Sequence, residues 1–114
     1  RIDADPRAVD YMMRNYTPNA RPTVPVVAVQ AIGDGLTSPS LQRGYAEAAR
    51  GRDVRSLYVR AAGHCNFTPK FTLAAIRLLD HRLQSGRWDK APAPFVAYTP
   101  PPMLRPCVRG GACK

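Results

Sequence analysis

Residues 24–34 read VPVVAVQAIGD, a near-continuous run of β-branched and small apolar residues. Parallel strands take this form because both of their faces are covered, so the run predicts a buried strand over 24–32. A second strand is predicted over 54–63, VRSLYVRAAG, where Val54, Ser56 and Tyr58 alternate with Arg55, Leu57 and Val59. Three helical periodicities surround these strands. In residues 3–16, Val9, Met12, Met13 and Tyr16 recur at i, i+3, i+4 and i+7, with Asp3 or Asp5 to cap and Pro6 in the first turn. Residues 38–51 form the second helix, capped by Ser38 or Ser40, with Leu41, Tyr45 and Ala48 or Ala49 facing inward and Gly51 as the stop. The third pattern is the strongest. It runs over 68–86, with Thr68 as cap, Pro69 in the first turn, an apolar stripe of Phe71, Ala74 or Ala75, Leu78, Leu79 and Leu83, and Gly86 at the end.

The order helix, strand, helix, strand, helix predicts an α/β fold with an open, mostly parallel sheet. Two strands do not make a stable sheet alone, so these elements are expected to complete a larger one. Residues 17–25 hold Pro18, Pro22 and Pro25 and form a loop. From Ala91 onward six prolines forbid helix, which predicts an extended tail laid as a rigid strap across another surface. Trp88 is expected to anchor the end of the last helix against the core.

Composition narrows the function classes. The chain has 114 residues, 45% of them hydrophobic, enough for one small domain with a real core. It contains no apolar run of about 18 residues, so no membrane span is expected. Seventeen Lys+Arg against eight Asp+Glu give a net charge of +9, which favours acidic surfaces through the long-range field. The basic residues are scattered, however, over Arg43–Arg60, Arg77–Arg87 and the tail, without a dense block or aromatic interleaving. A solvated basic face is therefore expected rather than a specific nucleic-acid site. The first residue is Arg1 and no signal-peptide pattern opens the chain, which is expected of a processed chain or a fragment. Cys107 and Cys113 bracket VRGGA and could close a disulfide loop in an oxidising, secreted or periplasmic setting; three free thiols are the other reading.

Two loops carry the candidate chemistry. Asp34 follows the first strand in a turn bounded by Gly33 and Gly35, and His64 follows the second strand directly after Gly63. Open α/β sheets bind ligands at the carboxyl ends of their strands, and adjacent parallel strands would set these loops side by side. A carboxylate there can accept the Nδ1–H of His64, fix its tautomer and leave Nε2 for a nucleophile. Cys65 could be a nucleophile, but sequence neighbours on a loop point apart; it is expected as a packing residue or a disulfide partner. His81 falls between Asp80 and Arg82 on a polar helix face and is expected to be solvated.

The stretch VPVVAVQAIGDGLTSP … YAEAA … VRSLYVRAAGHCNFTPKFTLAAIRLLDHRLQSGRW resembles the C-terminal part of an α/β-hydrolase. The resemblance covers roughly residues 1–88 as one domain; the Pro-rich tail, 89–114, matches no part of the family pattern. It implies that Asp34 is the triad acid and His64 the general base, in the family's chain order of Ser, then Asp, then His. It also implies a small-molecule ester or amide as substrate, with no cofactor and no metal. No G-x-S-x-G occurs: Ser38 and Ser40 look like caps, Ser56 lies mid-strand and Ser85 near a helix end. The chain is thus expected to be inactive alone, as the acid/base portion of a serine hydrolase whose nucleophile and first strands belong to an N-terminal polypeptide. The alternative is a non-catalytic binding or structural module with a basic surface.

Overall fold

The computed structural model describes residues 3–49, 53–103 and 109. They form a small α/β domain of three helices and two parallel strands, in the order α1 (Pro6–Asn15), β1 (Val26–Gly33), α2 (Pro39–Ala48), β2 (Val54–Ala62) and α3 (Pro69–Ser85). Each helix opens on a proline, whose missing N–H is not needed in the first turn. Asp5 caps α1 by accepting from the Arg7 N–H at 2.7 Å, and Ser38 caps α2 by accepting from the Ser40 N–H at 3.2 Å. Thr68 holds the cap position of α3 without a side-chain bond, and Gly86 ends that helix in the left-handed conformation that glycine adopts freely. Gly51, the expected stop of α2, and the Cys107–Cys113 loop lie outside the described residues. No helix among the described residues is long and apolar enough to cross a membrane.

Val26 pairs with Val54 and the register runs evenly to Ala31 opposite Val59. It then shifts, so that Gly33 pairs with Ala62. The core forms where Leu57, Ala75 and Leu78 meet Val27, Val29, Trp88 and Phe95. Trp88 serves as the expected anchor: its indole N–H donates to Asp53, which also takes a forked ion pair from Arg82. The Arg82 guanidinium lies 5.8 Å from the Trp88 ring centroid, a cation–π distance. Together these contacts tie the end of α3 to the start of β2.

Three packing expectations change. The stripe on α1 is not core: Val9, Met12 and Tyr16 are all exposed, because among the described residues no other element receives that face. On α3 the buried positions are Ala75 and Leu78, while Leu83 is 62% exposed. β1 is half-buried rather than buried on both faces, with only Ala31 fully covered. As far as Met103, the tail lies on its own chain. The Val96 N–H donates to the Tyr58 carbonyl at 3.0 Å, and Tyr98 meets Tyr58 edge-on at 5.4 Å between centroids. Arg43 then donates to the Pro100 carbonyl, and Met103 seats against Gly44. The tail thereby meets the outer edge of β2 at Tyr58. Among the described residues the outer edge of β1 pairs with nothing.

Candidate functional site

The register shift at the end of the sheet creates the site. Gly33 lies so close to β2 that an added Cβ would stand 3.1 Å from the Ala61 carbonyl oxygen, and the Gly63 N–H donates to the Gly33 carbonyl at 3.1 Å. Gly63 itself has φ +97°, which side chains rarely adopt. The next residue in each strand is therefore aimed at the other. His64 Nδ1 lies 2.9 Å from Asp34 Oδ2. An ionised carboxylate only accepts, so Nδ1 carries the proton and Nε2 offers its lone pair. Among the described residues nothing bonds Nε2.

Asp34 is held by more than His64. Its Oδ1 accepts the backbone N–H groups of Leu36 at 2.8 Å and Thr37 at 3.0 Å. Its Oδ2 accepts the Gln30 side-chain amide and the Thr37 hydroxyl, both at 2.8 Å. The carboxylate is only 3% exposed, whereas His64 is 42% exposed. Burial pushes the Asp34 carboxyl up, but the Thr37 N–H, His64, the Leu36 N–H and the Thr37 hydroxyl outweigh it and hold the group well below the ordinary carboxylate range. A buried anion thus faces a histidine whose other nitrogen is open, the arrangement needed for a general base with a fixed tautomer.

A second histidine–carboxylate pair shows the contrast. His81 Nδ1 lies 3.2 Å from Asp89 Oδ2 and 3.3 Å from Ser85 Oγ, so His81 is not simply solvated. Here the acid and the hydroxyl crowd the same nitrogen, and a proton relay needs them on opposite ones. His81 and Asp89 are 46% and 62% exposed, where such a pair contributes little. Ser85 also donates to the His81 carbonyl at 2.7 Å, an ordinary helix-end bond.

None of the four serines bonds His64 among the described residues. Ser38 is the α2 cap, and the Ser56 hydroxyl is buried in β2 without a partner. Cys65 corrects the expectation of a packing residue: it is exposed, at φ +52°, and is a free thiol. Its place in the strained turn after His64 leaves it no core to enter. Among the described residues no group of three or more His, Cys, Asp or Glu side chains could hold a metal ion.

Sequence reasoning missed Gln30 and Thr37. A signal was present: Gln30 is the one polar residue in the apolar run VVAVQAIG, four positions before Asp34. An apolar cavity of about 540 Å³ lies between the start of α2 and the tail, lined by Ser38, Ser40, Leu41, Pro101, Pro102 and Met103. It too was not foreseen, because it needs the tail folded back on α2.

No protein-family model matches the chain, and no solved structure matches it. A curated protein does. The chain is 35% identical over 96 residues to the o-phthalyl amidase of Xanthobacter agilis, a match covering 77% of this chain and 20% of that protein. The chain therefore spans about a fifth of the length of the relative it matches.

Proposed function

We propose that this chain carries the acid and the general base of a hydrolase acting on an amide or ester, as the C-terminal strands and helices of an α/β-hydrolase sheet. The observation that carries the reading is the 2.9 Å bond between His64 Nδ1 and a buried Asp34 carboxylate, at the carboxyl ends of adjacent parallel strands. Partial similarity to a protein named an amidase supports hydrolysis and favours an amide.

The nucleophile is a serine supplied from outside these 114 residues. Its hydroxyl attacks the carbonyl carbon as its proton passes to His64 Nε2; Asp34 stabilises the imidazolium that results. His64 then gives that proton to the departing amine or alcohol, leaving an acyl-serine. Water attacks the acyl-serine as its proton passes to the same Nε2, which then returns that proton to the departing serine oxygen, freeing the acid and the serine.

The outer edge of β1 is where the remaining sheet adds. Solitary edges are normally blunted by charges, prolines or bulging away from partners, yet VVAVQAIG carries no charge and no proline. A further parallel strand, from the polypeptide that bears the serine, pairs there. In the native protein with all its polypeptide present, His64→Ala is expected to abolish amide and ester turnover without unfolding. Turnover near the unsubstituted level would overturn the reading.

A further inference from the structure

We propose that Gln30 is a positioning residue, which fixes the Asp34 carboxylate so that Oδ2 is turned to His64. The inference rests on the reading of Asp34 and His64 as an acid–base pair and adds a residue to it. A carboxyl group turns about its last side-chain bond through a broad, two-fold profile. Two backbone N–H groups gathered on Oδ1 do not by themselves fix the angle at which Oδ2 faces a partner, because both donors come from one short turn. The Gln30 amide comes from a different direction, out of β1. One of its hydrogens goes to Asp34 Oδ2 at 2.8 Å and the other to the Thr37 carbonyl at 3.1 Å.

Gln30 therefore bridges the two ends of the loop that carries the acid, anchoring Asp34 and Thr37 to the strand that precedes them. Thr37 completes the arrangement with its hydroxyl on the same Oδ2. Three donors then surround that oxygen: the Gln30 amide, the Thr37 hydroxyl and His64 Nδ1. An amide is suited to the task because it donates at every pH and adds no charge. A Lys or Arg in its place would compete with the imidazolium for the same carboxylate. The cost of placing a polar side chain in a half-buried apolar strand is offset by these bonds and by longer contacts of the same nitrogen with the Ala31 carbonyl at 3.4 Å and the Thr37 hydroxyl at 3.5 Å.

The test reads the tautomer of His64 and not turnover alone. In the native protein with all its polypeptide present, labelled at histidine with ¹⁵N, the His64 signals are identified by their loss in His64→Gln. Long-range ¹H–¹⁵N correlation then reports which ring nitrogen carries the proton when the ring is neutral. The unsubstituted chain is expected to show His64 with the proton on Nδ1. Gln30→Met, of similar length but without a donor, is expected to lose that preference and move toward the Nε2–H form. Should it fail to fold, Gln30→Asn replaces it, since the amide is kept but falls one methylene short of Oδ2. Asp34→Asn is the control. If Asp34→Asn loses the Nδ1–H preference while the folded Gln30 variant keeps it, the positioning role is overturned and the acid–base reading stands. If Asp34→Asn keeps the preference, the pair itself does not act on His64 and both fall.

Discussion

Asp34 Oδ2 accepts from His64 Nδ1 at 2.9 Å across thirty positions of sequence, and the two residues meet because Gly33 and Gly63 let two strand ends close on each other. Asparagine at position 34 would keep the shape but can present an N–H to the ring and reverse its tautomer. Asp34→Asn is expected to lower turnover of the native protein about ten-thousand-fold, read as kcat in steady-state assays with an amide substrate. A loss below about tenfold, too small for a tautomer reversal, would remove Asp34 from the acid role.

Acid should unfold this domain through its two depressed carboxylates. Asp53 is held below the ordinary range, first by the hydrogen bond from Arg82 and then by Trp88, against burial that pushes it up. Asp34 is depressed likewise. The unfolded chain takes up these protons near pH 4 while the folded chain does not. Their stabilisation is therefore complete above about pH 4 and is lost as pH falls toward the lower native values. Denaturant titrations from pH 6 to pH 2 should show stability falling, with a shallower fall in Asp34→Asn and in Asp53→Asn. Equal slopes in all three proteins would contradict the assignment.

Leu57 is 1% exposed at the centre of the core, and Leu83 on α3 is 62% exposed. Leu57→Ala is expected to cost about 2–5 kcal/mol, and Leu83→Ala to stay within about 0.5 kcal/mol. Chemical denaturation of the two variants separates them. Similar losses would mean that the apolar stripe of α3 is buried along its whole length.

Gly63 holds φ +97° between the end of β2 and His64. Gly63→Ala should cost about 1–3 kcal/mol from backbone strain and turn His64 away from Asp34. Melting temperature and turnover should fall together. Unchanged turnover with lowered stability would show that the turn serves folding alone.

The alternation of helix and strand, the strand ends and both members of the pair were legible in the sequence, because period and turn residues are local signals. Val9, Met12 and Tyr16 repeat as a core stripe does, but periodicity says nothing about whether a partner surface lies opposite. The fold-back of the tail as far as Met103 is hidden for a related reason. Its prolines exclude helix, yet the bond from Val96 to Tyr58 and the seat of Met103 on Gly44 are long-range contacts that no local pattern encodes. Gln30 was passed over because one polar residue does not disturb a strand reading. Its meaning depends on where the loop after the strand folds back.

The open edge of β1 makes a separate claim about the rest of the sheet. Amides on that edge should exchange rapidly in the 114-residue chain and slowly when the full polypeptide is present, as measured by hydrogen exchange with peptide mass spectrometry. Equal exchange in the two would mean that no strand adds there.

The most direct measurement is covalent labelling of the native protein with a fluorophosphonate, which reacts with an activated serine, followed by mapping of the labelled peptide. The labelled serine is expected to lie outside residues 1–114, and labelling is expected to disappear in His64→Ala while the protein stays folded. Labelling that persists in His64→Ala, or that maps to Ser38, Ser40, Ser56 or Ser85, would contradict the assignment of His64 as general base to a serine held elsewhere.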